Sequence, residues 1–518
     1  MNVPSGLNHI SFVEIRSCPR LPNLTSVNLA ALATAKASAD PVARSGASSA
    51  GRLVVVSNRV ADLSAKCQSG GLAVAVAHAL KGSRGLWFGW SGETSEDAST
   101  TPPKIETHGE LSTAKLDLSP EEEEGYYYGY ANRCVWPALH YRLDLARCSE
   151  VDAETYFSVN ARFADALMPL LEPGDTIWVH DYHLIPLGEE LRLRGCTARI
   201  GFFLHTPFPS PEVFAAVPHQ KRLGRALMVY NLIGFQTEAD RENFARYVAS
   251  CLDGERLRGD LLAAHGQTSN ASVFPVGIAA EEFARLAETE SAKGPLLPVQ
   301  DEEMKTIIGV DRLDYTKGIP ERFRAFEALL AAYPAHRRRV RLVQIGSPTR
   351  ETLPIYQEVR EEVERLVGRI HGRFGDLGWT PVTYLHRAIP QHQLARLYRE
   401  SAVGLVTALR DGMNLVAKEY VAAQAARDPG ILILSRFAGA AEELKEALLV
   451  NPHDTNEMAR ALDRALNMRR PERWARHRQL MQRIETGNVG HWRDSFLAAL
   501  GASIFGTAHY PGHNLGAA

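Results

Sequence analysis

Short runs of branched and aromatic residues recur along the chain, each stopping on a polar or charged residue and each followed by a helix-length stretch. Few architectures accommodate that rhythm. The first run, Leu53-Val54-Val55-Val56, begins at Arg52 and breaks at Ser57-Asn58-Arg59. A strand apolar at every position, rather than at alternate ones, is buried on both faces, as in a parallel sheet covered by helices. The pattern returns at 86–90, at Thr176-Ile177-Trp178-Val179 before His180-Asp181, at Ile200-Gly201-Phe202-Phe203-Leu204 before His205, and near Val273-Phe274-Pro275-Val276. Residues 72–80, 155–171 and 185–194 read as intervening helices. Residues 289–300 hold Gly294, Pro295 and Pro298 without a period, which places a linker there. Strands are then expected at 306–310, 340–346, 382–385, 403–407 and 430–434, with helices at 319–333, 354–370, 391–400 and 414–426. This alternation predicts an α/β protein with two tandem, Rossmann-like, doubly wound parallel-sheet domains. The expected boundaries are an extension at 1–50, an N-terminal domain at 51–288, a C-terminal domain at 301–480, a terminal helix at 481–504 and a loose tail at 505–518.

The size suits two large domains, since 518 residues exceed what one core sustains. With 45% hydrophobic and 23% charged residues, a disordered or collagen-like chain is excluded. The 58 basic and 60 acidic residues nearly cancel, so no global field calls for nucleic acid or an anionic membrane, and any bound anion is held locally. No apolar run approaches the roughly 18 residues of a membrane span. Residues 1–50 lack the apolar core of a secretory signal, and a cytoplasmic location is expected. The cysteines (Cys18, Cys67, Cys134, Cys148, Cys196, Cys251) form no CxxC pair, and reduced thiols are expected.

Ligands of doubly wound sheets bind at the carboxyl ends of the strands. There Asp311-Arg312-Leu313-Asp314-Tyr315-Thr316-Lys317-Gly318 sets two cations across a turn that opens a helix, a diphosphate site or a solvated basic turn. Gly70-Gly71 opens the first helix but matches neither GxGxxG nor the P-loop, which leaves a simple turn open and a nicotinamide dehydrogenase unsupported. Arg59 and Arg350 follow strands, where a guanidinium fork grips a sugar phosphate or makes a surface ion pair. Tyr126-Tyr127-Tyr128 and Trp136 supply rings that stack on sugars or fill a core. His180-Asp181-Tyr182-His183 lacks the spacing of a metal site. His205 is a lone strand-end histidine. Arg410–Glu419 packs a carboxylate, a glycine turn, an amide and a helix start into one segment, as a nucleotide-sugar site requires.

These segments resemble the trehalose-6-phosphate synthases, retaining glucosyltransferases of the two-domain GT-B type, whose sheets face across a cleft. The resemblance runs from Arg52 to about Leu500 through SNR (57–59), SGGLAVA (69–75), GLWFGWSGE (85–93), HYRLD (140–144), HDYHLIP (180–186), GFFLH (201–205), GFQTE (234–238), RLDYTKG (312–318) and RDGMNLVAKEYVAAQ (410–424). It implies that Arg59, Tyr127, Asp181 and Arg350 hold glucose 6-phosphate. Gly70, Gly71, Arg312, Lys317 and the run Leu415, Val416, Ala417, Lys418 and Glu419 would hold UDP-glucose, with Ile389 near the base. His205 and Asp411 would contact the transferred glucose, joined in catalysis by Arg312 and Lys317, while Trp136 and Thr206 sit where acceptor anomer selectivity is set. The expected product is α,α-trehalose 6-phosphate, made without metal or cofactor by a homo-oligomer, a tetramer among the candidates. Two departures lie on the acceptor side: Thr206 where an aliphatic residue is usual, and Tyr128-Gly129-Tyr130-Ala131-Asn132 in place of Asn-x-Phe-Ser-Asn. The competing readings are a different phosphorylated acceptor, such as glycerol 3-phosphate, and a catalytically silent sugar-phosphate sensor.

Overall fold

The apolar runs close into two sheets in the computed structural model, which describes residues 51–61, 76–77, 80, 84–98, 100–297 and 304–503. The 1–50 extension, Gly70, Gly71 and the 505–518 tail lie outside the described residues. The first sheet comprises β1 (Leu53–Arg59), β2 (Gly85–Thr94), β3 (Lys104–His108), β4 (Leu111–Leu118), β5 (Thr176–His180), β6 (Arg199–Phe203), β7 (Leu232–Phe235), β8 (Glu255–Arg256), β9 (Leu261–Ala264) and β10 (Gln267–Val273). Their spatial order is β3-β4-β2-β1-β5-β6-β7-β10-β9-β8. The second comprises β11 (Lys305–Arg312), β12 (Val340–Ser347), β13 (Val382–Leu385), β14 (Val403–Val406), β15 (Ile431–Ser435) and β16 (Leu448–Val450), in order β13-β12-β11-β14-β15-β16 with every pairing parallel.

The doubly wound expectation describes the second sheet fully and the centre of the first. At the edges of the first sheet, β3 pairs antiparallel with β4, and β8, β9 and β10 form an antiparallel meander. These edge strands are covered on fewer sides, so they carry mixed patterns such as Lys-Ile-Glu-Thr-His in β3, with nothing of a buried parallel run.

Beside the sheet of the N-terminal half lies a 13-residue π-helical segment, Glu123–Val135, entered through a capping box in which Ser119 and Glu122 each accept the other's backbone N–H. It carries the three consecutive tyrosines. In the C-terminal half, Arg322 on the helix Ile319–Ala332 is fully buried and donates to Asp311 (2.7 Å), Gln344 (2.7 Å) and Thr407 (3.1 Å). A buried guanidinium satisfied in this way ties the carboxyl ends of β11, β12 and β14 to one helix, which fixes the loops that leave them. Two helices, Arg470–Thr486 and Val489–Ala502, end the described chain. The second returns to the first sheet, where Phe496 stacks on Trp178 at 4.5 Å.

The reduced-thiol expectation fails for one pair. Cys134, closing the π-helical segment, is disulfide-bonded to Cys148, with Cα atoms 4.8 Å apart. Spacing in sequence does not reveal this. The chain leaves the π-helical segment, makes a loop and comes back, so that Arg147 N–H donates to Arg133 C=O at 2.7 Å. Cys196 and Cys251 are free.

Candidate active site

The strand ends of the two sheets meet across one cleft. From the first sheet, β5 delivers His180 and then Asp181, whose φ of +74° turns the chain sharply out of the strand. Its carboxylate accepts the His205 N–H at 3.2 Å, just past the end of β6. Burial pushes the Asp181 carboxyl up to about 6, although the N–H groups of Tyr182, His205 and Thr206 pull against it. The His205 ring shares a hydrogen bond with His180, Nε2 to Nδ1 at 3.0 Å, and burial holds His205 down at about 3. His205 is therefore neutral at working pH and able to donate to or accept from a sugar hydroxyl.

From the second sheet, the loop after β11 sets Lys317 in a short turn capped by Asp314, whose side chain accepts the Thr316 N–H at 3.0 Å. Gly318 follows at φ +61°, and a Cβ there would lie 2.1 Å from the Thr407 carbonyl, so only glycine lets this loop meet β14. Lys317 Nζ donates to Asp411 at 2.6 Å, and Asn414 donates to the same carboxylate oxygen at 3.0 Å. Burial alone would raise Asp411, but Lys317 and Asn414 hold it below the usual carboxylate range. Asn414 also caps the helix Leu415–Ala423 by accepting the Ala417 N–H at 3.1 Å. The first N–H groups of that helix thus open beside Lys317 and Asp411. Gly412 packs against the far side of the cleft, where a Cβ would stand 1.9 Å from the His205 carbonyl. The Arg410–Glu419 segment and the GFFLH strand end are in this way brought into direct contact.

Arg350, at φ +47°, lies under the cleft with its side chain 4% exposed. It donates to Tyr356 at 2.7 Å and, across the cleft, to Tyr182 at 3.2 Å, with Asp314 at 3.7 Å. It also lies 4.5 Å from the centre of the Trp136 ring, which Arg312 approaches at 5.7 Å. Arg312 itself is exposed. Arg59 sits over Trp90 at 4.9 Å and donates to the Gly92 carbonyl at 3.1 Å. Tyr127 stacks on His183 at 5.8 Å.

Lys418, expected with the donor, has its amino group engaged elsewhere: Nζ donates to the Val276 carbonyl at 2.8 Å and to Glu443 at 2.6 Å. Its side chain anchors the helix to the end of the first sheet, which leaves only its backbone for a ligand. Glu419 is partly buried with no cation beside it among the described residues, and the loss of water pushes its carboxyl up to about 7. Ile389 stands partly buried in the loop after β13.

Buried polar atoms without partners gather around this cleft: Trp136 Nε1, Thr206 Oγ1, Arg350 Nε, Thr316 Oγ1 and both ring nitrogens of His183. Proteins rarely leave such atoms unmatched, and a cluster of them marks a surface built for a polar ligand. Sequence reading did not single out Tyr182, His183, Asp314, Tyr356 or His140. His140, held down at about 4 by burial, donates from Nδ1 to the Trp136 carbonyl at 2.8 Å and lies near Asp314, Lys317 and Asp411. The signal was present for most of them, since HDYHLIP, RLDYTKG and HYRLD contain Tyr182, His183, Asp314 and His140. Among the described residues no three His, Cys, Asp or Glu side chains gather as a metal-holding group.

Residues 48–502 match the model of glycosyltransferase family 20. The chain belongs to that family. It is 48% identical over 457 residues to the trehalose-6-phosphate synthase of Enterobacter sp. (strain 638), covering 87% of this chain and 95% of that protein. The enzyme of the same name from Cronobacter sakazakii is 47% identical over 463 residues, with 87% and 95% covered. Among solved structures, the UDP-forming α,α-trehalose-phosphate synthase of Burkholderia xenovorans, in complex with glucose 6-phosphate, superposes with a TM-score of 0.85 at 47% identity and covers 87% of this chain and 100% of that one. A structure from E. coli bound with UDP-2-fluoro glucose gives 0.83 at 46% identity, over 88% and 100%. The two facing parallel sheets are those of the GT-B type.

Proposed function

We propose that the cleft divides into a donor half, built on the second sheet, and an acceptor half, built on the first. The chain is a UDP-forming glucosyltransferase that converts UDP-glucose and glucose 6-phosphate into α,α-trehalose 6-phosphate and UDP. Lys317, Arg312 and the N-terminus of the helix Leu415–Ala423 receive the diphosphate, Glu419 the ribose hydroxyls, and Ile389 the base, and the donor-binding role that the family resemblance implies extends to Gly70 and Gly71. Arg59, Tyr127, Asp181 and Arg350 hold glucose 6-phosphate. Trp136 and the unpaired Thr206 hydroxyl face its reducing end and select the anomer.

The glycosidic C–O bond to UDP breaks as the acceptor hydroxyl bonds to the same face, and its proton passes to the departing phosphate oxygen. No carboxylate nucleophile is needed, so the pair about 5 Å apart of a retaining glycosidase has no role. Lys317 and Arg312 oppose charge that grows only as the leaving group departs, the condition under which a contact lowers the barrier. Asp411 keeps Lys317 aimed and touches the transferred sugar, and neutral His205 meets a hydroxyl of that sugar. With two cations and helix N–H groups on the diphosphate, no metal is required. A cytoplasmic homo-oligomer completes the proposal, to be tested by fractionation and light scattering.

The observation that carries this reading is the pairing of Lys317, from the phosphate-type turn, with Asp411, beside a capped helix start, directly facing the His205 strand end. Product analysis with UDP-glucose tests it, comparing kcat/KM for glucose 6-phosphate, glycerol 3-phosphate and free glucose. Glucose 6-phosphate is expected to lead by a wide margin. Preference for glycerol 3-phosphate would remove the sugar-specific roles of Tyr127 and Asp181, and equal use of free glucose would remove those of both arginines.

A further inference from the structure

Cys134 and Cys148 bracket the loop through which the N-terminal half touches the other side of the cleft. Trp136, Tyr141 and Arg142 all lie between the two sulfurs. Trp136 packs beneath Arg350 and Arg312, Arg410 lies over the Tyr141 ring at 4.6 Å, and Arg142 lies over the Tyr315 ring at 5.6 Å. Tyr141 also accepts the Ser210 N–H at 3.0 Å.

The two limbs of the loop differ. Trp136–Leu139 is buried. The returning limb is not: Tyr141, Leu143, Asp144, Arg147 and Cys148 are exposed, and the Arg147 side chain donates only locally, to the carbonyls of Asp144 and Ala146. Tyr141 and Arg142 N–H groups donate back to the Ala138 and Pro137 carbonyls of the buried limb. At the far end the limb is tied to the π-helical segment by the Arg147 to Arg133 hydrogen bond, the disulfide, and the following helix Glu150–Leu167, whose Tyr156 packs on Tyr126 and Tyr130. Of the ties that hold the limb presenting Tyr141 and Arg142 to the donor half, the disulfide at its exposed base is the covalent one and can be broken chemically.

We propose that Cys134–Cys148 is a thiol–disulfide modification site that sets the affinity for the sugar-phosphate acceptor, with the oxidised form holding the loop against the donor half and the reduced form releasing it. This rests on the reading of the cleft as the acceptor and donor site. Cys134 is fully buried while Cys148 lies at the surface, so a dithiol reductant meets Cys148 first. Its thiolate attacks Cys148 Sγ, the S–S bond breaks, and Cys134 leaves as a thiolate and takes up a proton. The reductant's second thiolate then attacks its own sulfur in the mixed disulfide and expels Cys148, which is protonated in turn. Two electrons and two protons pass to the protein, and the reductant leaves as its disulfide. Reoxidation reverses each step.

Freeing the limb removes the Tyr141–Arg410 and Arg142–Tyr315 contacts, which close the cleft around bound substrate. Two cation–π contacts of this kind at partly exposed sites together shift an equilibrium about 5–30-fold. The full-length protein is assayed for trehalose 6-phosphate formation air-oxidised and after dithiothreitol, beside Cys148→Ser and Cys251→Ser, with peptide mapping by mass spectrometry under non-reducing conditions. The expected result is a linked 134–148 peptide in the oxidised sample and a KM for glucose 6-phosphate about 5–30-fold higher after reduction, with kcat changed much less. Cys148→Ser should show the reduced KM in either state, and Cys251→Ser should respond like the parent. Absence of the linked peptide, an unchanged KM on reduction, or a Cys148→Ser protein that matches the oxidised parent or still responds to dithiothreitol would each overturn the proposal. If both forms make product with equal KM, the redox proposal alone falls; if neither makes product, the reading of the cleft falls first.

Discussion

Replacing Lys317 by alanine removes the most heavily used cation in the cleft. Its amino group lies 2.6 Å from Asp411 Oδ2, and the two side chains are 11% and 14% exposed, so the pair is largely shielded from water. Two consequences separate. In the transition state, the diphosphate loses a charge-assisted donor that acts on charge absent from the ground state, a loss worth about 3–4 kcal/mol or roughly 10²–10³ in kcat/KM. In the free enzyme, Asp411 loses the positive charge that outweighs its burial, keeping only Asn414. Its carboxyl should then move up from below the ordinary range, and an acid limb should appear in kcat/KM where the parent shows none from this group. Removing one member of a buried pair destabilises a fold by about 3–5 kcal/mol at most, less for a pair that retains some solvent, so thermal unfolding is measured alongside to confirm that the variant is folded. The assay is UDP release over a pH series at saturating and limiting UDP-glucose. A folded Lys317→Ala protein with near-normal kcat/KM would refute the diphosphate role. A loss of rate with no new acid limb would refute the coupling to Asp411.

Glu419 at about 7 should make donor binding pH-dependent: below 7 the carboxyl is protonated and accepts poorly from ribose hydroxyls, so KM for UDP-glucose should fall as pH rises through 7, and Glu419→Gln should flatten that dependence. The same raised value means that the folded state holds its proton more tightly than the unfolded one, so stability should decline between the ordinary value of 4.5 and about 7, a slope that calorimetry of Glu419→Gln should show removed. Arg59→Ala should raise the KM for glucose 6-phosphate by roughly 10–100-fold, the worth of a charge-assisted bond to phosphate, with little change in UDP-glucose affinity by titration calorimetry. Activity should survive EDTA, because Lys317 and Arg312 supply the diphosphate's countercharge; loss on chelation with recovery on added Mg²⁺ would refute this.

Features whose physical cause is local can be read from the chain of residues alone. Runs such as Leu53–Val56 and Val403–Val406 are legible as buried parallel strands because helices cover both faces, so every side chain must be apolar. The turn from Asp314 to Gly318 is legible for a similar reason, since Arg312, the cap Asp314, the cation Lys317 and the left-handed Gly318 fall within seven residues. The edge strands β3 and β8 are not legible, since half-covered strands carry no such constraint. Tertiary structure alone decided which distant groups share a charge or a bond. Lys418 sits in a run that reads as ligand-binding, yet its amino group is taken by Val276 and Glu443, residues 142 and 25 positions away. Cys134 and Cys148 carry no spacing signal, and only the return of the loop brings them together. Tyr182 and His183 sit in a segment whose spacing argues against a metal site and names no other partner, whereas the fold turns Tyr182 toward Arg350 and stacks His183 on Tyr127. Local sequence sets backbone preference and burial, but the partner of a charged or polar side chain is whatever the closed cleft places within about 3 Å, and no local pattern encodes that.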